Sequence, residues 1–283
     1  MVTNYGYITF TRPSESSGFF SNYFSVLSTV EDCITRGLRP YVDSSNTWFN
    51  PTYSFKEDRV TDLSINPWDW WFVQNRREDV TSFTKVDIDR QHISHVPKLF
   101  MARTDKPKFR AIAKEFCAIK PHILEEEEIL YKQYLENKNT LGILARGTEM
   151  LVHHPEYPKI SANSWPQVIE LCLKQNPDID NIFLVSDDRK IVESIVSAYP
   201  QTKYLEHFFR STTQTEEELS DKGMPWWLSS PHNDPNHRKR LGEESLIQVR
   251  LLSRCDYFVG SHSGMFNATN FFNEIPFKDT YLI

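Results

Sequence analysis

From residue 141 onward the chain alternates short apolar runs with amphipathic stretches, and no other feature limits the possible folds as strongly. Leu141-Gly-Ile-Leu-Ala145 reads as a buried strand, Trp165 to Asn176 as a helix and Asn181-Ile-Phe-Leu-Val185 as a second strand. Arg189 to Tyr199 follows as an amphipathic helix with Ile191, Val192, Ile195, Val196 and Tyr199 as its apolar residues. Lys203-Tyr-Leu-Glu206 reads as a short strand, Leu246 to Leu252 as a helix, Tyr257-Phe-Val259 as a strand and Phe266 to Phe272 as a last helix. Strands that alternate with helices pair in parallel, because each crossover helix returns the chain to the same end of the sheet.

The first half opens in the same way. Tyr7-Ile-Thr-Phe10 is β-prone, a polar segment ending at Gly18 follows, and Phe19 to Thr35 has helical apolar spacing. Gly37 is placed as the residue just past that helix, and Arg39-Pro-Tyr-Val-Asp43 reads as a second strand ending in an acid. Ser44 to Lys85 is rich in Asn, Pro and Trp, has weak periodicity and supports no assignment. Asp105 to Asn137 divides into two helical segments at Pro121. The glutamates Glu125 to Glu128 near the start of the second favour the positive end of the helix dipole and read as a solvated helix start. Successive helical positions point 100° apart, so these four carboxylates cannot converge on one metal ion. Asn137-Lys-Asn-Thr140 reads as a hinge. Two Rossmann-like α/β domains, residues 1–138 and 139–283, facing a central cleft are the expected organisation.

Composition excludes several functional classes. The 283 residues carry 32 basic and 38 acidic side chains, for a net charge of −6, with no Lys/Arg-rich block that would track a phosphate backbone. Nucleic-acid binding is not expected. The start, MVTNYGYITF, lacks a basic segment followed by an apolar one, and no stretch approaches 18 consecutive apolar residues. A cytoplasmic protein without signal peptide or transmembrane segment is expected. Cys33, Cys117, Cys172 and Cys255 are widely spaced and form no C-x-x-C, which points to buried reduced thiols.

Ligands of open parallel sheets bind beyond the carboxyl ends of the strands, where loops converge and helix N-termini point outward. Three polar clusters occupy such positions in the second half. Arg146-Gly147-Thr148-Glu149 follows the first strand and suits a diphosphate: a cation, a glycine for close backbone approach and a hydroxyl. The alternative is an arginine paired with a local carboxylate. Ser186-Asp187-Asp188 precedes a helix, so one aspartate is expected as its N-cap, an explanation that needs no divalent cation. Ser261-His262-Ser263-Gly264 opens the last helix, as an anion site or as a plain serine cap. No G-x-S-x-G elbow supports a hydrolase. His92 with His95, His153 with His154, and His232 with His237 lack supporting carboxylate or cysteine patterns and read as surface or packing residues. The Trp68 to Trp71 and Trp226-Trp227 clusters read first as core, with stacking on a sugar as the alternative.

Four segments, in order, resemble the fucosyltransferase superfamily of GT-B fold, which includes nodulation and core α-1,6-fucosyltransferases and protein O-fucosyltransferases. Gly18-Phe-Phe-Ser-Asn22 with Gly37-Leu-Arg-Pro-Tyr-Val-Asp43 is similar to the family's glycine loop and "G-x-x-P-x-V-D" strand. Leu141 to Glu149 resembles "G-V-H-x-R-x-T-D", and Phe183-Leu-Val-Ser-Asp-Asp188 resembles "F-x-x-T-D-D". Gly242-Glu-Glu-Ser-Leu246 with Cys255-Asp-Tyr-Phe-Val-Gly-Ser-His-Ser263 resembles "G-x-x-x-L... C-D-x-x-V-G-S-x-S". The chain departs at Leu144, where many relatives have His, at Gly147, where some have Arg, and at Glu149, where Asp is usual.

The resemblance implies a GT-B-like fold and an inverting, metal-independent glycosyltransferase with no cofactor, whose substrate is a nucleotide-sugar donor, normally GDP-fucose, and whose acceptor is a glycan or glycoconjugate. It implies that Arg146 neutralises the diphosphate, that Ser261 and Ser263 bind phosphate oxygens, and that Asp187 or Asp188 binds the donor. Gly18, Asn22, Thr148 and His262 fall in the same motifs and are expected at the donor site. An inverting transfer needs a base for the acceptor hydroxyl. Glu149 is the first candidate, with a structural glutamate as the alternative and His153, His154 and Asp43 in reserve. Another donor such as UDP-xylose, or a noncatalytic sugar-nucleotide or glycan-binding module, is the competing reading.

Overall fold

The computed structural model describes residues 4–10, 18–47, 49–50, 62–74, 82–88, 106–147, 160–208, 210 and 236–283. The chain divides into two compact units, Met1–Leu124 with Met224–Glu243 and Glu125–Gly223 with Glu244–Ile283. Each carries its own parallel sheet.

The first unit contains β1 (Tyr5–Phe10), α1 (Phe19–Thr35), β2 (Arg39–Asp43), the short α2 (Trp68–Trp71), β3 (Phe83–Ile88) and α3 (Lys106–Phe116). Its strand order is β2-β1-β3, both pairs parallel. Helix α1 buries Phe20, Tyr23, Phe24, Leu27, Val30 and Cys33, the three- and four-residue spacing of a core-facing stripe. It stops where expected. Gly37 adopts φ 70°, Leu38 N–H donates to Cys33 O at 2.9 Å and Gly37 N–H to Ile34 O at 2.9 Å, a Schellman ending that favours glycine in the left-handed region. The helix lies close on β1 because Gly6 has no side chain: a Cβ there would come within 2.5 Å of the Cys33 sulfur.

The Trp-rich stretch without a sequence assignment supplies α2, and β3 begins near its end. Trp68 and Trp71 are buried among Phe19, Tyr23, Phe49 and Phe72, with Trp68 and Phe72 ring centroids 4.2 Å apart, so these tryptophans are core. Trp71 Nε1–H donates to Lys239 O at 2.9 Å. The outer edge of β2 is covered by side chains. Val42 N–H donates to Gln74 Oε1 at 3.0 Å, and Val42 O accepts from Gln74 Nε2 at 2.9 Å and Asn66 Nδ2 at 2.8 Å. The Gln74 amide thus makes the two bonds that a neighbouring strand residue would make.

Helix α4 (Pro121–Tyr134) runs from the first unit into the second. The second unit continues with β4 (Thr140–Ala145), α5 (Trp165–Gln175), β5 (Asn181–Ser186), α6 (Arg189–Ala198), β6 (Lys203–Tyr204), α7 (His237–Leu252, begun in the first unit), β7 (Tyr257–Gly260), α8 (Gly264–Phe272) and β8 (Asp279–Leu282). The strand order is β6-β5-β4-β7-β8, every pair parallel. Strands β4 and β5 are buried along their whole length, which explains their continuous apolar runs. Ile143, Ile182, Leu184 and Val259 pack with Trp165, Ile169, Ile191 and Ile195 of the covering helices. Here too a strand glycine faces a thiol: a Cβ on Gly142 would come within 2.9 Å of the Cys255 sulfur. All four cysteines are free and buried, as expected.

Two expectations are corrected. Glu127 is not part of a solvated helix start. It lies on the buried stripe of α4 with Ile123 and Leu130 and is 2% exposed. It pairs with Arg250 at 3.1 Å and Arg254 at 2.9 Å, and the Arg254 guanidinium also stacks 3.3 Å from the Tyr131 ring centroid. Glu125 and Glu126, on the opposite face, are exposed as expected. Helix α7 begins at His237 rather than at Leu246, because its first turns are polar and carry no apolar period. Among the described residues no helix is long and apolar enough to cross a membrane.

Candidate functional site

The strand order of the second unit creates a point of reversal at the centre of its sheet. From β4 the chain builds outward through β5 to β6, then returns to place β7 on the other side of β4. At such a reversal the loops leaving the two central strands diverge to opposite faces of the sheet and open a crevice beyond their carboxyl ends. Arg146 leaves β4 at that point and Ser261 leaves β7, with Ser261 N–H donating to Leu144 O at 3.1 Å.

Arg146 is held from both sides. Its Nη1 lies 3.2 Å from Asp187 Oδ2, across the loop that follows β5. The same nitrogen lies 3.6 Å from the Met265 sulfur in the first turn of α8. Gly147 N–H donates to Asp187 Oδ1 at 2.8 Å. Gly147 also sits against Asp188, so a Cβ at that position would collide with the Asp188 side chain. This contact explains why a larger residue cannot stand at 147 in the present arrangement. Asp188 is the N-cap of α6, accepting from Lys190 N at 2.8 Å, and Ser186 Oγ accepts from Asp188 N at 3.2 Å. The expected cap is therefore Asp188, and Asp187 faces Arg146.

Ser263 is the N-cap of α8 and accepts from Phe266 N at 3.1 Å. Ser261 and His262 are partly buried beside it. The helix presents its N-terminal end near Arg146, so the partial positive charge of the helix end and the guanidinium meet beyond the carboxyl ends of the strands. That combination is suited to an anion. Met265 is the member of the cluster that the sequence reading missed, because no signal along the chain links it to a residue 119 positions away.

Other predicted residues distribute as follows. Thr148, Glu149, His92, His95, His153, His154, His232 and Trp226-Trp227 lie outside the described residues. Gly18 and Asn22 belong to the first unit. Gly18 is the extended N-cap of α1, and among the described residues beyond its chain neighbours no atom lies within 4 Å of where its Cβ would be. Asn22 lines a small pocket at the start of α1 together with Phe19, Tyr23, Ser44, Thr47 and Trp68. Asp43 ends β2 in a buried position, accepting from the Tyr7 hydroxyl through Oδ2 and from Ser45 N at 2.9 Å through Oδ1. His237 is buried at the start of α7. Among the described residues no three His, Cys, Asp or Glu side chains are grouped as metal ligands.

No protein-family model and no curated protein sequence matches the chain. Solved structures do. NodZ α-1,6-fucosyltransferase soaked with GDP-fucose superimposes with a TM-score of 0.55 at 14% identity, over 95% of this chain and 92% of that one. NodZ from Bradyrhizobium gives 0.53 at 13% identity, over 95% and 93% of the two chains. A mutant of Arabidopsis thaliana FUT1 in complex with GDP gives 0.50 at 10% identity, over 99% and 71%. The chain therefore has the GT-B-like α/β fold of these fucosyltransferases.

Proposed function

We propose that this protein is an inverting glycosyltransferase that moves a sugar, in the first instance fucose from GDP-fucose, to a hydroxyl of a glycan or glycoconjugate. The observation that carries the reading is the meeting of Arg146, Gly147 and the N-terminal end of α8 at the reversal point of the second sheet. The resemblance in fold to NodZ soaked with GDP-fucose supports the choice of donor.

A nucleoside diphosphate leaves only if the negative charge developing on it is stabilised. In the proposed reaction Arg146 and the first-turn N–H groups of α8 supply that stabilisation, with Ser261 and Ser263 beside the phosphate oxygens, so no divalent cation is required. Glu149, three residues beyond Arg146, is the proposed base that takes the acceptor proton as the glycosidic bond to the diphosphate breaks.

GDP titrated against the protein in the presence of EDTA should raise the melting temperature, and UDP should do so less. A rise that appears only with Mg²⁺ or Mn²⁺ would overturn the metal-independent reading. Arg146→Ala should lower transfer by roughly 10²–10³, the cost of one charge-stabilising donor. Glu149→Gln should lower kcat while leaving GDP affinity near its original value, since a base acts only in the chemical step. Initial rates with GDP-fucose and a panel of glycan acceptors measure both.

A further inference from the structure

We infer that Asp187 is a positioning residue, which holds Arg146 and the Gly147 amide in place, and that it is not a ligand of the donor. The inference rests on the proposed function for the role of Arg146, and on geometry for the role of Asp187. One carboxylate oxygen of Asp187 lies 3.2 Å from Arg146 Nη1, and the other accepts the Gly147 N–H at 2.8 Å. Two consecutive residues of the β4 loop are thus tied to a single side chain of the β5 loop. A carboxylate engaged on both oxygens in this way sets the direction in which an arginine extends, and the order of a long flexible side chain is in place before ligand arrives.

The surroundings reinforce the tie. Asp188 packs against Gly147 and its carboxylate caps α6, so the Ser186-Asp187-Asp188 run acts on the loops and the helix end around it. The Met265 sulfur lies 3.6 Å from the same Arg146 Nη1. Arg146 is left 18% exposed, which suits a group presented to a ligand from a fixed position.

Three measurements on the full chain test this. In the ligand-free protein, the Arg146 guanidinium NMR resonances should be resolved and slowly exchanging, and Asp187→Asn should collapse them. That variant keeps an oxygen for the Gly147 N–H, and its melting temperature shows whether it folds. If it does not fold, Asp187→Glu, which moves the charge outward by one methylene, should shift the same resonances. Next, Asp187→Asn should change the affinities for GDP and for inorganic pyrophosphate by one common factor, because the lost repulsion and the lost hold both act at the phosphates. Transfer should fall roughly tenfold, the scale of one charge-assisted contact. In an Arg146→Ala background the substitution should no longer lower transfer, because the side chain that it holds is gone.

Unchanged Arg146 resonances in the folded Asp187 variants would overturn the inference. So would a loss of GDP affinity with pyrophosphate affinity intact, which would mean that Asp187 touches the nucleoside. If wild-type protein binds neither GDP nor pyrophosphate, the glycosyltransferase reading fails, while the ligand-free resonances still decide whether Asp187 holds Arg146.

Discussion

Asp69 illustrates how a single side chain records its surroundings. Burial raises its carboxyl pKa above the ordinary value, with the nearby Asp43 acting in the same direction and the Gln74 amide, bonded to it at 2.7 Å, and Lys120 acting against. The folded state therefore holds that proton more tightly than the unfolded chain, whose aspartates titrate near about 3.9. Stability from this group is fully present below that value and is lost as pH rises through the native pKa. Asp69→Asn should remove the loss. In urea titrations between pH 4 and pH 7, the stability of wild type relative to Asp69→Asn should decline as pH increases, and a constant difference would refute the assignment. At this scale some features were legible from local chemistry alone: Gly37 at a helix end and an aspartate cap before α6 follow from rules spanning a few residues. Met265 beside Arg146 was not, because nothing along the chain brings a residue 119 positions away into view.

Among the elements, α4 depends on a charge on its core side. Glu127 sits between Arg250 and Arg254 of the second unit, nearly sealed from solvent, and Glu128 adds a second carboxylate to Arg254 at 2.8 Å. Removing one partner of a buried pair leaves the others uncompensated, at a cost of about 3–5 kcal/mol. The arginines are 25% and 30% exposed and can turn toward water, so the lower figure is expected here. Glu127→Ala should therefore lower unfolding stability by about 3 kcal/mol, whereas Glu126→Ala, on the exposed face, should change it by no more than about 0.5 kcal/mol. Parallel denaturant titrations of the two variants distinguish them. The sequence shows four adjacent glutamates and makes no distinction among them. Helical geometry does, since Ile123, Glu127 and Leu130 share one stripe. Strands β3 and β8 escaped for a related reason: Phe83 and Leu282 are exposed apolar residues, so neither strand shows a clear pattern of one buried face.

For the molecule as a whole, the thiols provide a measure of tertiary integrity. Burial pushes Cys33 and Cys172 up to about 11 and raises Cys117 and Cys255 further. The thiolate is the reactive form, so native protein at pH 8 should give essentially no reaction with Ellman's reagent, and four equivalents should react in denaturant. Fast reaction of one native thiol would show that its part of the core is open. Periodicity of apolar residues, together with turn and cap chemistry, was sufficient to identify parallel α/β units and to point to the loops after β4, β5 and β7. These signals act over a few residues, and any fold has to respect them. Which side chains meet there is a matter of strand order. By setting β5 and β7 on the two sides of β4, the sheet brings Asp187 and the start of α8 to Arg146, because contacts between distant segments are selected by burying the strands on both faces.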